Sequence, residues 1–98
     1  MNIEKINNGS SLEIKLQGRL DTTTAPLLEK ELSESLEGIT DLKLDFAELE
    51  YISSAGLRVL LSTQKQMNKQ GNMVLTNVSD EVNEVFDITG FSDILTIQ

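Results

Sequence analysis

The stretch DLKLDFAELEYISSAGLRVLL (residues 41–61) changes from one hydrophobic period to another. Its first part, residues 41–46, alternates apolar and polar side chains, which predicts a half-buried strand. From Leu57 onward, apolar residues recur at helical spacing and basic residues take the outward positions. A strand therefore passes into a helix, and two adjacent serines, Ser53 and Ser54, are expected at or near the helix N-cap.

Two predicted strands and a helix precede this stretch. Residues 11–17 alternate strictly and predict a half-buried strand, to which a weaker strand over residues 2–6 is joined by a hairpin-type turn. A helix is predicted over residues 24–37, because threonines are available to cap it and Pro26 falls in its first turn. Gly38 is expected to end that helix.

The C-terminal part of the chain continues the alternation of predicted strands and helices. Residues 73–77 predict a short buried strand, the segment from Ser79 to Gly90 predicts a serine-capped helix, and residues 94–97 predict a last strand. The order β-β-α-β-α-β-α-β predicts one α/β domain over residues 1–98, with a mixed sheet of about five strands covered by helices.

Composition limits the classes of function. The 98 residues carry a net charge of −8 and include neither cysteine nor histidine. No apolar run approaches the roughly 18 residues that span a membrane, and we expect no secretory signal. A cytoplasmic protein is therefore expected. Its negative charge argues against nucleic acid and anionic membranes as partners.

The charge is unevenly distributed along the chain. Residues 1–50 contain eleven acids and five bases, and residues 80–98 contain five acids and no base. Between them, residues 51–79 contain Arg58, Lys65 and Lys69 and no acid. The serines thus lie in the only basic part of an acidic chain. Three bases on one helix are also typical of an ordinary solvated helix surface, so charge alone leaves both interpretations open.

The serine pair does not match an enzyme. A strand, a turn, a serine and a helix occur in the nucleophile elbow of hydrolases, but SSAGL departs from G-x-S-x-G and the chain has no histidine as general base. Lys65 and Lys69 lie two or more helical turns away. Because the chain also lacks a phosphate-binding glycine loop and a calcium-loop pattern, we expect no catalysis, no cofactor and no metal.

Two interpretations of the serines remain. A serine at an N-cap satisfies a backbone N–H and stabilises the helix by about 1 kcal/mol, without any further function. A serine at a helix N-terminus can also carry a phosphate, which adds about −1.5 to −2 charges. We expect one hydroxyl both to cap the helix and to accept the phosphate, and the other to shape the turn.

Three motifs carry a resemblance to a known family: GRLDTTTAP (residues 18–26), LKLDFAELEYISSAGLRVLL (residues 42–61) and VFDITGFSDILTI (residues 85–97). Together they resemble the STAS-domain family and, within it, the anti-sigma factor antagonists. The resemblance implies a mixed-sheet α/β domain without catalytic activity. It also implies two partners: an anti-sigma factor with ATP-dependent serine kinase activity, which the unphosphorylated protein binds, and a metal-dependent serine phosphatase.

The same resemblance implies a phosphorylation site. The family motif runs acid, Ser, Ser or Thr, Gly, Leu, and its first hydroxyl is modified. Aligning it on residues 56–57 places Ser54 at the modified position and Ala55 at the second hydroxyl. Ser53 stands where the best-known members have aspartate, so it remains the alternative site. The implied partner surface comprises Asp21, Thr22, Ser53, Ser54, Ala55, Gly56, Leu57 and Arg58.

A second interpretation keeps the fold and changes the function. STAS domains also serve as interaction subunits of transport or scaffold complexes, in which no phosphorylation switch is needed. A start at Met1 without a membrane-spanning segment argues against a transporter, and the lack of a sensory domain argues against a scaffold. A monomer or weak dimer is expected, with Leu27 and Tyr51 as candidate exposed apolar contacts.

Overall fold

Four strands form one mixed sheet in the order β1-β2-β3-β4. The computed structural model describes all residues from 1 to 98. Its strands are β1 (Asn2–Asn8), β2 (Ser11–Leu20), β3 (Asp41–Ile52) and β4 (Asn72–Thr76). β1 and β2 pair antiparallel, whereas β3 runs parallel to both β2 and β4. The predicted mixed sheet, with a hairpin followed by parallel strands, is confirmed.

The three α-helices cover one face of this sheet. They are α1 (Ala25–Ser35), α2 (Ser54–Gln70) and α3 (Asp80–Thr89). Strand residues alternate between the two faces: Leu12, Ile14 and Leu16 of β2 are buried, whereas Lys15 and Gln17 are exposed. The buried residues form a single cluster of 23 side chains. The opposite face of the sheet is left to solvent.

Strand β3 extends further than its alternating pattern predicts. The sequence places its end at Phe46, but the strand continues to Ile52. Its register with β2 shifts twice, and each shift inserts one extra residue into β3. Buried positions then recur every third residue, at Phe46, Leu49 and Ile52, which hides the strand from a test for strict alternation. The extension carries the chain directly to Ser53.

The predicted fifth strand is wrong. Phe91–Asp93 forms a 3₁₀-helix, and Ile94 after it is still helical in conformation. The residues after it make a single parallel bridge, between Ile97 and Leu75. The sheet therefore has four strands rather than about five, because the turn after α3 leaves too few residues for a ladder.

The C-terminal end of α2 is hydrogen-bonded to the segment that follows α1. The Gln70 side-chain nitrogen donates to the backbone oxygens of Leu36 and Ile39, both at 2.7 Å. The next residue, Gly71, lies so close to Thr40 that a Cβ atom would be 1.9 Å from its backbone oxygen. Because a side chain has no space there, glycine is required by packing.

Candidate functional site

Two loops meet at the carboxyl ends of β2 and β3. The parallel register pairs Leu20 with Ile52, and the backbone nitrogen of Ser53 donates to the oxygen of Leu20 at 2.8 Å. The loop that begins with residues 21–22 therefore lies beside the start of α2. The structure thus brings together the two groups of residues in which the resemblance implies one partner surface.

The two serines have separate roles in this structure. Ser53 is the N-cap of α2: its backbone is extended, and its hydroxyl accepts a hydrogen bond from the Gly56 nitrogen at 3.4 Å. Ser54 is the first residue of the helix, is exposed, and takes part in no side-chain hydrogen bond within the protein. The expectation that one of the two hydroxyls caps the helix is confirmed, whereas the serine that accepts a phosphate stays a prediction. The cap is Ser53, and the unengaged hydroxyl is Ser54.

Gly56 allows the first turn of α2 to lie against the strand ends. A Cβ atom at this position would be 2.7 Å from Cγ of Leu20 and 2.9 Å from Cγ1 of Ile52. Both neighbouring side chains are buried in the core. A larger residue would have to displace them or move the helix. The absence of a side chain at Gly56 therefore determines how close the first turn of α2, which includes Ser54, lies to the strand ends.

The predicted partner residues differ in exposure. Thr22, Ser54 and Arg58 are exposed, Asp21, Ser53 and Ala55 are half-buried, and Gly56 and Leu57 are buried. Leu57 is only 8% exposed. The buried pair can support the surface, but it offers no side chain to a partner.

Asp21 organises the loop between β2 and α1. Its Oδ1 accepts hydrogen bonds from the backbone nitrogens of Thr23 at 3.0 Å and Thr24 at 3.1 Å. The Thr24 hydroxyl accepts from the Asp21 nitrogen and donates to the Arg19 oxygen, so it does not cap α1 as predicted. The bond from the Thr24 nitrogen, above all, holds the pKa of Asp21 below its usual value.

Arg19 and Tyr51 lie beside this loop, near the carboxyl ends of β2 and β3. They pair across β2 and β3, and the Arg19 guanidinium carbon lies 4.2 Å from the centre of the Tyr51 ring. Arg19 Nε also lies 3.8 Å from Oδ2 of Asp21. Tyr51 is 41% exposed and Leu27 is 53% exposed, as the sequence predicted. Sequence reasoning missed Arg19, because only the bulged register of β3 places it over Tyr51.

The outer surface of α2 is positively charged. Arg58, Lys65 and Lys69 are exposed, and the helix contains no acidic residue. The two salt bridges of the structure join Lys5 to Glu31 and Arg19 to Asp21, so neither involves α2. Basic groups without acidic neighbours favour an acidic binding partner and are sensitive to any negative charge added beside them.

The start of α2 offers a surface for binding and an exposed hydroxyl that can accept a group. No group of three or more histidine, cysteine or acidic side chains is arranged to hold a metal ion. A depression of about 400 Å³ lies on the open face of the sheet, lined in part by Ile6, Lys43 and Val74. It is near the amino-terminal ends of β3 and β4, away from the serines.

None of the helices combines the length and hydropathy needed to cross a bilayer.

Known proteins resemble the chain over nearly its full length. It is 33% identical over 98 residues to the anti-sigma-B factor antagonist of Bacillus subtilis (strain 168), covering 99% of this chain and 90% of that protein. The fold is similar to that of the anti-sigma factor antagonist SpoIIAA in its unphosphorylated form, with a TM-score of 0.85, 20% identity and coverage of 99% and 88% of the two chains.

A further solved structure, Bacillus SpoIIAA in the phosphorylated form, gives a TM-score of 0.77 at 19% identity and covers 99% of this chain and 91% of that one. The sequence model of the STAS domain matches residues 2–98. The chain therefore belongs to the STAS domain family and is a relative of the anti-sigma factor antagonists.

Proposed function

We propose that this protein is the switchable component of a bacterial partner-switching system. Its unphosphorylated form binds an anti-sigma factor that is also a serine kinase, and this binding releases the sigma factor. The kinase phosphorylates Ser54 and so abolishes binding, and a metal-dependent serine phosphatase restores it. ATP and metal are used by these partners, so the protein itself acts in the cytoplasm without catalysis or cofactor. Its relationship to anti-sigma factor antagonists supports this proposal.

The exposed hydroxyl of Ser54 is the observation that carries the proposal. A kinase must reach the oxygen that it phosphorylates, and this hydroxyl is exposed and has no bond within the protein. Ser53 is half-buried and its hydroxyl already caps α2. Modifying Ser53 would remove a cap worth about 1 kcal/mol, whereas modifying Ser54 leaves the cap intact.

Charge explains how phosphorylation would break a complex. Residues 51–79 carry three bases and no acid, a balance of +3, and one phosphate lowers this to about +1. The phosphate would stand beside the loop of Asp21, which is held in its charged form. An acidic partner docked on α2 would then meet new repulsion and new bulk, and like charges brought together cost several kcal/mol.

The test compares single substitutions on α2 for binding to the partner kinase, measured by calorimetry. Ser54→Ala is expected to bind like wild type and to stay bound after incubation with ATP, because it cannot be phosphorylated. Ser54→Asp is expected to bind about tenfold or more weakly. Aspartate carries only about half the charge of a phosphate, so the tenfold loss of affinity is a lower limit for the effect of phosphorylation.

Ser62 provides the matched control, since it is also an exposed serine on α2. Ser62→Asp adds the same charge to the same basic surface two turns away from Ser54 and from the loop of Asp21, so it is expected to lose less affinity than Ser54→Asp. Equal binding by Ser54→Asp, Ser62→Asp and wild type would contradict the switch. It would instead favour a STAS interaction subunit of a transport or scaffold complex, which needs no phosphorylation.

A further inference from the structure

Ser54 and Arg58 lie one turn apart on the exposed side of α2. Both side chains are exposed, and the helix is continuous from Ser54 to Gln70. Helix residues four apart are neighbours, with Cβ atoms about 5–6 Å from each other. A long side chain at position 58 can therefore reach a group attached at position 54.

Arg58 has no acidic partner. The salt bridges of the structure involve other residues, and α2 contains neither aspartate nor glutamate. Its guanidinium group is exposed and uncompensated on the same ridge as the hydroxyl. An uncompensated arginine beside a phosphorylated serine is a ready site for charge-assisted hydrogen bonds.

We propose that Arg58 binds the phosphate of Ser54 as an intrahelical ion pair, so that phosphorylation both adds charge and withdraws Arg58 from the partner surface. This inference rests on the proposed phosphorylation of Ser54. The order of the pair is the favourable one, because an anion four residues before a cation stabilises a helix better than the reverse. The planar guanidinium can also contact two phosphate oxygens at once.

The other charged groups near the start of α2 do not compete for this role. Lys65 lies eleven residues along the helix, roughly 16 Å at about 1.5 Å per residue. Arg19 is already held between the Tyr51 ring and the carboxylate of Asp21. Asp21 itself repels a phosphate. Arg58 is therefore the cation that the phosphate would meet.

The ion pair can be tested through the second ionisation of the phosphate. A nearby cation favours the dianion, so Arg58 lowers the second pKa of the phosphate. The protein is prepared with phosphoserine installed at position 54 during translation, and the phosphorus NMR signal is followed against pH. We expect Arg58→Gln to raise this pKa by about half a unit or more.

Lys65→Gln is the matched control, since it removes the same charge from the same exposed surface at a distance. In this variant the second pKa of the phosphate is expected to equal that of the wild-type protein. If Arg58→Gln also coincides with wild type, the ion pair does not form. Arg58 is exposed and outside the core, so its replacement leaves the fold intact. Because the phosphoserine is installed without a kinase, failure here is distinct from failure to find Ser54 phosphorylated in cells.

Discussion

The two ends of α2 are both set close to their neighbours by a glycine, but they use their polar groups differently. At the C-terminal end, Gln70 donates two hydrogen bonds to backbone oxygens, and Gly71 packs against backbone. At the N-terminal end, Gly56 packs against side chains, and the Ser54 hydroxyl is left without a partner. The polar side chain at the C-terminal end is used in the fold, whereas the N-terminal end has an accessible hydroxyl, which is the proposed phosphorylation site.

The largest expected effect is a loss of stability caused by a substitution at the C-terminal end of α2. Gly71→Ala is expected to reduce the free energy of unfolding by about 3 kcal/mol or more, because the new Cβ meets the Thr40 carbonyl. That carbonyl also accepts a hydrogen bond from Asn72, so it cannot move freely. The φ of Gly71 is 173°, outside the left-handed region, so the expected loss is argued from crowding alone.

Gly56→Ala is the matched comparison at the other end. It is expected to cost less, about 1–2 kcal/mol, since the side chains of Leu20 and Ile52 can shift. Urea unfolding of both variants measures the difference. Equal losses would show that the two ends are packed equally rigidly, against the contrast drawn between them.

The position of α2 could be predicted from the sequence, but the contacts at its two ends could not. Helical spacing from Leu57 located α2, and turn chemistry placed the serines at its start. Which of the two serines is the N-cap could not be predicted, because it depends on where β3 ends, and two bulges conceal that end. The contacts of Arg19 depend on the same register. The fifth strand was predicted from apolar residues alone, which do not reveal that Ile94 remains helical.

A smaller effect sharpens the difference between the serines. Ser53→Ala is expected to lower stability by about 1 kcal/mol, because the cap of α2 is lost. Ser54→Ala is expected to change stability by less than about 0.5 kcal/mol, since no bond is lost. Thermal and urea unfolding of the two variants give the comparison. The reverse order would mean that Ser54 is the cap and would exchange the roles assigned to the two serines.

The smallest effect concerns the pH dependence of the adjoining loop. Asp21 has a lowered pKa in the folded protein, chiefly through the hydrogen bond from the Thr24 nitrogen. Its stabilising contribution is therefore fully present above the ordinary aspartate pKa and is lost as the pH falls through the lowered one. The amide NMR signals of Thr23 and Thr24 are expected to follow this titration.

Asp21→Asn provides the control for the loop. It should remove the acid transition from both threonine signals and leave the transition of Asp45 unchanged, whose pKa is lowered by its own bond from Asn77. An Asp21 carboxyl that titrates at its usual value would show that the loop bonds are not maintained in solution.

The most direct test of Ser54 as the regulated group is the mass of the protein isolated from its native cells. Intact mass is measured before and after treatment with a serine phosphatase, and fragmentation then locates any phosphate. The proposed switch predicts one removable phosphate, located on Ser54. A phosphate on Ser53, or none under either growth or stress conditions, would contradict it.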